Sequence, residues 1–432
     1  MRSRTTTGLA LLTGAALALS ACSGGDDPEP GDGGSGGGNG DDGSSAEVTL
    51  DFFTDKAAWE PSFEDMNTAS DGLAPQLSFT GYSDPTAYDA FIKQSFRTDE
   101  RPDLFTWHTG DRLGELVEQG LVAETTDIWD QAIADGYVSE DLAANYTYDG
   151  KQYCVPLNVV YWVIYYNQAV FDEHGLDVPS TWEEFTAVAD TLVDAGVVPL
   201  HQMNIIFEFV WFQAILAGMD PEAYDGLSDG SVSYTDPTVV EAMETWHQMQ
   251  SDGYFIDPGV TTDPQTLLQT GETAMAYFGT FFTGQLTDLG MVSGEDYGMF
   301  VLPSVDPGLA DTPVVVETGP LCVGTDSENE QAALDYSAWW MGTDAQSAWS
   351  DSRGDVSFNP NATVTDEALA EITAQVTGDG YQQLRRYLEA TPTTIYTVAA
   401  EEFGAFVTNN DDPMGHLEAI QAEADAHWAD QG

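Results

Sequence analysis

The residues able to do chemistry are scattered along this chain. Its six histidines stand at 108, 174, 201, 247, 416 and 427, with no H-E-x-x-H and no pair four apart. Cys154 and Cys322 are far from one another in the chain, and the body has no Asp-x-Asp-x-Asp-Gly loop. These patterns predict neither a metal site nor another cofactor. Nucleophilic hydrolysis calls for a serine on a strand-to-helix elbow or a Ser-x-x-Lys. No strand of the body leads into a Gly-x-Ser-x-Gly elbow, and Ser-x-x-Lys is absent. A glycosidase pair of carboxylates is not legible, because 73 Asp and Glu supply close pairs by chance. Phosphate-cradling glycine loops are missing outside the glycine-rich N-terminal stretch. No catalytic residue is therefore assigned.

Aromatic residues are what recur in settings unlike a core. Trp107-His108-Thr109-Gly110 closes a strand-like segment, where ligands bind in open α/β sheets. Phe207, Phe209, Trp211 and Phe212 crowd the start of a helical segment, and Gly279-Thr280-Phe281-Phe282 follows another turn. Flat rings stack on the C–H faces of sugars, while amides, carboxylates and arginine take the hydroxyls. The competing role for each ring is core packing.

The elements that must position these residues alternate. Val48–Phe53, Gln76–Thr80 and Asp103–Trp107 read as strands, with helices over Pro85–Arg97 and 111–119 between and after them. Strand, helix, strand with short breaks predicts a parallel α/β sheet. A β-branched and aromatic run, Val155–Tyr166, leads to a short helix closed by Gly175. Ser180-Thr181-Trp182-Glu183-Glu184 has the pattern of a helix start. Most of the chain to about Tyr297 is helical; strand returns near 314–324, and helix over Ala332–Trp340. A second α/β set after a long strand predicts two lobes.

Eleven Lys and Arg against 73 acids give this 432-residue chain a formal charge of −62. Such a surface repels nucleic acid and anionic membranes, whose recognition rests on cations. With 42% hydrophobic and 11% aromatic residues the body can still bury a core. The acidity suits either an ordinary acidic secreted protein or a saline medium that screens self-repulsion. Arg2 and Arg4 precede an apolar stretch, Gly8–Ser20, too short to span a bilayer, and it reads as a secretory signal. It ends Leu19-Ser20-Ala21-Cys22, which looks like a bacterial lipobox with Cys22 acylated. Ser23–Ala46 holds ten glycines and six acids in 24 residues and reads as a flexible tether. In an exported protein Cys154 and Cys322 are candidates for a disulfide; two buried thiols are the alternative.

Several ordered motifs resemble the extracytoplasmic solute-binding lipoproteins of ABC sugar importers, the maltose-binding-protein-like family. They are Arg101-Pro-Asp-Leu-Phe-Thr-Trp-His108 with Gly120-Leu121, and Gly150-Lys-Gln-Tyr-Cys-Val-Pro156 with Tyr165-Tyr-Asn-Gln168. Pro179-Ser-Thr-Trp-Glu-Glu-Phe185, Gly271-Glu-Thr-Ala-Met275 with Gly279, and Asn329-Glu-Gln-Ala-Ala333 continue the series. The resemblance implies a two-lobed periplasmic-binding-protein fold (type II-like), with hinge strands and a ligand cleft between α/β lobes. It divides the chain into a lipoprotein signal peptide (1–21), acylated cysteine and tether (22–47), lobe one (48–156 plus 322–375) and lobe two (157–321 plus 376–432). A Cys154–Cys322 bridge would then tie adjacent hinge strands.

On the same resemblance the ligand contacts are Trp107, His108, Tyr161, Phe207, Trp211, Phe281 or Phe282, Glu317 and Arg353. Where relatives often have a second tryptophan this chain has His108, a hydrogen-bonding group in place of a ring. The implied function is capture of a carbohydrate, first of all a neutral oligosaccharide, by lobe closure, with delivery to ABC permease transmembrane subunits. The protein would be a monomer, held by its lipid at the outer face of the cell membrane. A secreted glycan-active hydrolase and a surface carbohydrate-adhesion protein are the alternatives.

Overall fold

The structure, a computed structural model, describes residues 48–98 and 101–431. The expected signal, Cys22 and the tether lie outside them. Nine strands form one sheet: β1 (Thr49–Thr54), β2 (Gln76–Gly81), β3 (Leu104–Thr106), β4 (Val155–Asn167), β5 (Val198–Leu200), β6 (Thr273–Gly279), β7 (Tyr297–Phe300), β8 (Thr312–Val323) and β9 (Tyr381–Arg385). Their order is β2-β1-β3-β8-β4-β6-β5, with β9 also on β8 and β7 also on β4.

The expected parallel sheet is present in the β2-β1-β3 part, whose strands are linked by helices. At its centre the sheet is antiparallel, because β4 and β8 are long strands that serve both halves of the body. One end of β8 pairs β3 through Leu321–Val323, and its middle pairs β4 from Val316↔Tyr161 to Leu321↔Val155. The other end of β4 pairs β6 and β7. Twelve of the thirteen β4 residues are buried, Tyr166 being the exception. Both faces are covered, so the strand reads as a continuous apolar run rather than an alternation. Two hydrophobic clusters flank it: Val159, Tyr161 and Val163 join the cluster of β1–β3, while Val160, Trp162 and Ile164 join that of Trp211, Trp246 and Phe403.

Local chemistry sets the helix ends. Asn167 closes β4 and caps Gln168–His174 by accepting from the Val170 N–H at 2.9 Å, and Gly175 ends that helix with φ +64°. Thr181 caps Trp182–Ala195, while Glu184 reaches back to the Ser180 N–H at 2.8 Å. Cys154 and Cys322 are bridged, with Cα atoms 4.2 Å apart. The Cys154 carbonyl accepts from Thr125 Oγ1 at 2.7 Å and Trp129 Nε1 at 2.8 Å. The bridge thus fastens the adjoining ends of β4 and β8 to the β3 side of the sheet. It closes a loop of 168 residues, for which chain-entropy arguments give about 2–5 kcal/mol of stability. Replacing both cysteines by alanine is predicted to lower the unfolding free energy by about that amount while leaving far-UV dichroism intact. Two free thiols in unreduced protein would contradict the bridge.

Candidate functional site

Strand alternation decides which side chains meet. On β4, Val160 and Trp162 share a face, and Glu317 on β8 stands opposite Val160 on that same face. Phe207 meets the Trp162 ring edge-on at 5.2 Å and Phe281 meets it edge-on at 6.2 Å. The two phenylalanines stack at 6.3 Å. Both are partly buried, so their rings form an accessible aromatic floor. Gly279 is required there: a Cβ would fall 2.3 Å from Val160. The Trp162 indole, a buried hydrogen-bond donor on the same face as Glu317, helps that carboxylate keep its charge.

One wall is built at the carboxyl ends of β1 and β3. Asp55 accepts from Thr106 Oγ1 and Lys56 Nζ, each at 2.8 Å. Burial opposes its charge, but these partners win and hold its carboxyl below the usual range. Lys56 Nζ lies 5.4 Å from the Trp59 ring, and the Arg353 guanidinium 4.3 Å from it. His108 and Arg112 both contact Asp89, at 3.4 and 3.3 Å. Trp107 is only 4% exposed and donates to the Arg112 carbonyl at 2.9 Å, so it braces this wall from beneath.

The facing wall follows β9. Arg386 is buried and donates to Glu317 at 2.6 Å and to both oxygens of Glu389, one of them at 2.8 Å. Burial raises the Glu317 pKa and Arg386 opposes it. Leu388, Glu389 and Tyr396 face His108, Thr109, Asp111 and Arg112 across a space of about 10 Å³. Small-ligand pockets start at roughly 300 Å³, so a ligand enters only if these walls separate.

The expected residues divide accordingly. His108, Phe207, Phe281, Glu317 and Arg353 lie on the floor or walls just described. Trp211 is 1% exposed, donates to the His201 carbonyl at 2.9 Å and packs edge-on against Phe255: it is core. Phe282 is fully buried, stacked on Phe278 at 4.5 Å. Tyr161 is turned away by the same alternation that presents Trp162. It lines a separate cavity of about 480 Å³ with Val159, Phe358 and Gln383, and burial pushes its hydroxyl up to about 12. That cavity is larger than the space between the walls, but no charged residue lines it. The letters Gly-x-Ser-x-Gly do occur at 226–230. There Ser228 sits within the helix Pro221–Asp229 and donates to the Asp225 carbonyl at 2.7 Å, which is no nucleophile elbow. Sequence reasoning passed over Trp162, Asp89, Arg112, Arg386, Glu389 and Asp355.

Two substitutions test this electrostatic layout. Arg386→Ala leaves two partly buried carboxylates without their shared cation and is predicted to cost about 2–4 kcal/mol, read by denaturant unfolding. Asp355 is buried beside Arg353, and burial raises its pKa from the ordinary 3.8 to about 7. Its protonated form is favoured in the folded chain, so this contribution is complete below pH 3.8 and is lost as pH rises through 7. Asp355→Asn should flatten the fall in melting temperature across that window; an unchanged slope would assign it elsewhere.

Among known proteins, the chain is 27% identical over 212 residues to an uncharacterized ABC transporter extracellular-binding protein, PH1039, of Pyrococcus horikoshii, covering 47% of each. It is 24% identical over 247 residues to the alpha-glucosides-binding periplasmic protein AglE of Rhizobium meliloti, covering 51% of this chain and 53% of that one. It therefore spans about half the length of the curated relatives it matches. A solved chitin oligosaccharide binding protein superposes with a TM-score of 0.75 at 18% identity, over 88% of this chain and 98% of its own, and shares the two-lobed fold. The model of the bacterial extracellular solute-binding proteins matches residues 63–375. The chain belongs to that family.

Proposed function

We propose that the chain is the extracellular carbohydrate-binding component of an ABC importer. The observations that carry the reading are the aromatic cluster of Trp162, Phe207 and Phe281 on the Glu317 face of β4, and two polar walls too close to admit a ligand without moving. Aromatic faces take the C–H surface of a sugar ring, and the polar side chains of the walls take its hydroxyls. Relatives named for α-glucosides and chitin oligosaccharides support this ligand class. The lobes are 48–156 plus 322–375 and 157–321 plus 376–432. Ligand settles on one wall, the other closes over it about β4 and β8, and the closed form gains both sets of contacts. The ligand is a neutral oligosaccharide, since the surface charge repels anions.

The contacts we assign are His108, Phe207, Phe281, Glu317 and Arg353; Trp162, 1% exposed, backs the two phenylalanines. Trp107, Trp211 and Phe282 support them from the core. No bond is made or broken. The monomeric body, tethered through acylated Cys22 at the outer face of the membrane, hands its ligand to permease transmembrane subunits.

The test is a panel of glucose, galactose, maltose, chitobiose and raffinose, with melting temperature and sugar mass followed together. At least one sugar should raise the melting temperature and remain intact. Release of shorter products would make the protein a hydrolase, and no shift with any sugar would remove the reading. Phe281→Ala should weaken the best sugar by about tenfold or more, since a lost ring contact is worth roughly 0.5–1.5 kcal/mol beyond its buried area; unchanged affinity takes Phe281 out of the site.

A further inference from the structure

Glu208 follows the aromatic Phe207 yet is itself buried, 4% exposed, and its Oε2 has no hydrogen-bond partner in the chain. The Tyr396 hydroxyl and its own backbone N–H lie beside the carboxyl, and burial still raises its pKa. Tyr396 also lines the space facing His108 and Arg112, and Arg386, a cation acting on Tyr396, already donates to Glu317 and Glu389. A buried acceptor on an anion, left unpaired, is costly in the unliganded protein.

A second cost stands two residues earlier. Ile206 has φ +69°, left-handed backbone that a β-branched side chain rarely adopts, and it is 63% exposed, with little packing to offset the strain. The turn is pinned by Phe207 N–H on the Ile205 carbonyl at 2.8 Å and by Asn204 Nδ2 on Thr408 Oγ1 at 3.0 Å. Phe207 in turn rests edge-on against the Trp162 ring at 5.2 Å. Strain and a carboxylate oxygen without a donor persist side by side where surrounding structure holds them for use.

We propose that Glu208 determines the specificity of the cleft, its Oε2 accepting a hydrogen bond from a hydroxyl of a neutral sugar and its charge excluding phosphate, sulfate or carboxylate at that end. The assignment rests on the carbohydrate-binding reading above and names the ligand chemistry within it. An anionic substituent on this wall would meet Glu208 in addition to Glu317 and Glu389, whose arginine is already engaged. A hydroxyl meets an acceptor that lacks only a donor.

The experiment compares wild type with Glu208→Gln in the full chain. Isothermal titration uses the panel sugar with the largest melting shift, then glucuronate, galacturonate and glucose phosphate, and the unliganded melting temperature is recorded in parallel. The variant should bind the neutral sugar about tenfold or more weakly, because a charge-assisted bond is roughly twice as strong as a neutral one. Its preference for neutral over acidic sugars should shrink, while the unliganded melting temperature does not fall. Equal affinity and equal preference in the variant overturn this assignment alone, leaving the carbohydrate reading standing. Weaker binding accompanied by a matching loss of unliganded stability also overturns it, as a structural role. A wild type that binds none of the sugars overturns both.

Discussion

β4 and β8 run antiparallel through the middle of the sheet, and each must satisfy backbone donors and acceptors along a long buried path. That requirement couples the two halves of the body, because β3 takes one end of β8 while β6 and β7 take the other end of β4. Once the register is set, alternation assigns every side chain to a face. Val160, Trp162 and Glu317 fall on one face, and Val159 and Tyr161 on the other. The disulfide fixes the β3 end of the pair, where Thr125 and Trp129 hold the Cys154 carbonyl. The stretch beyond includes the irregular register at Gly319/Pro320.

Charge is distributed with the same economy. Nine Lys and Arg follow residue 22, and Lys56, Arg112, Arg353 and Arg386 all stand at the candidate site. Lys56, Arg112 and Arg386 contact carboxylates there. Arg353 stacks on Trp59 instead. The acidity that excluded nucleic acid therefore leaves three of the site's four cations paired with carboxylates. A neutral, hydroxyl-rich ligand suits such a surface, and the family's extracellular setting suits a strongly acidic exterior.

Much of the fold was legible because its signals are local. Asn167, Gly175, Thr181 and Gly196 mark helix ends by capping and left-handed backbone, and the structure places the ends there. The antiparallel centre was not, since no local pattern says that one strand will serve two halves of a sheet. The site was legible in region but not in parity. β4 is apolar on both faces, so nothing in its sequence told Tyr161 from Trp162. Trp211 and Phe282 read like ligand rings because an aromatic in the core and one in a cleft look alike in sequence. Glu208 was hidden among 73 acids; burial without a partner is what separates it, and only the folded chain shows that.

The central claim is that a carbohydrate is held on the Trp162 face of β4 by the meeting of two walls. A crystal structure of the protein with the tightest-binding oligosaccharide tests it most directly. The account predicts a sugar ring against Phe207 and Phe281, between Arg112 and Glu389, with the cavity beside Tyr161 empty of ligand. Sugar density in the Tyr161 cavity, or on the outer surface with the space between the walls unchanged, would contradict it.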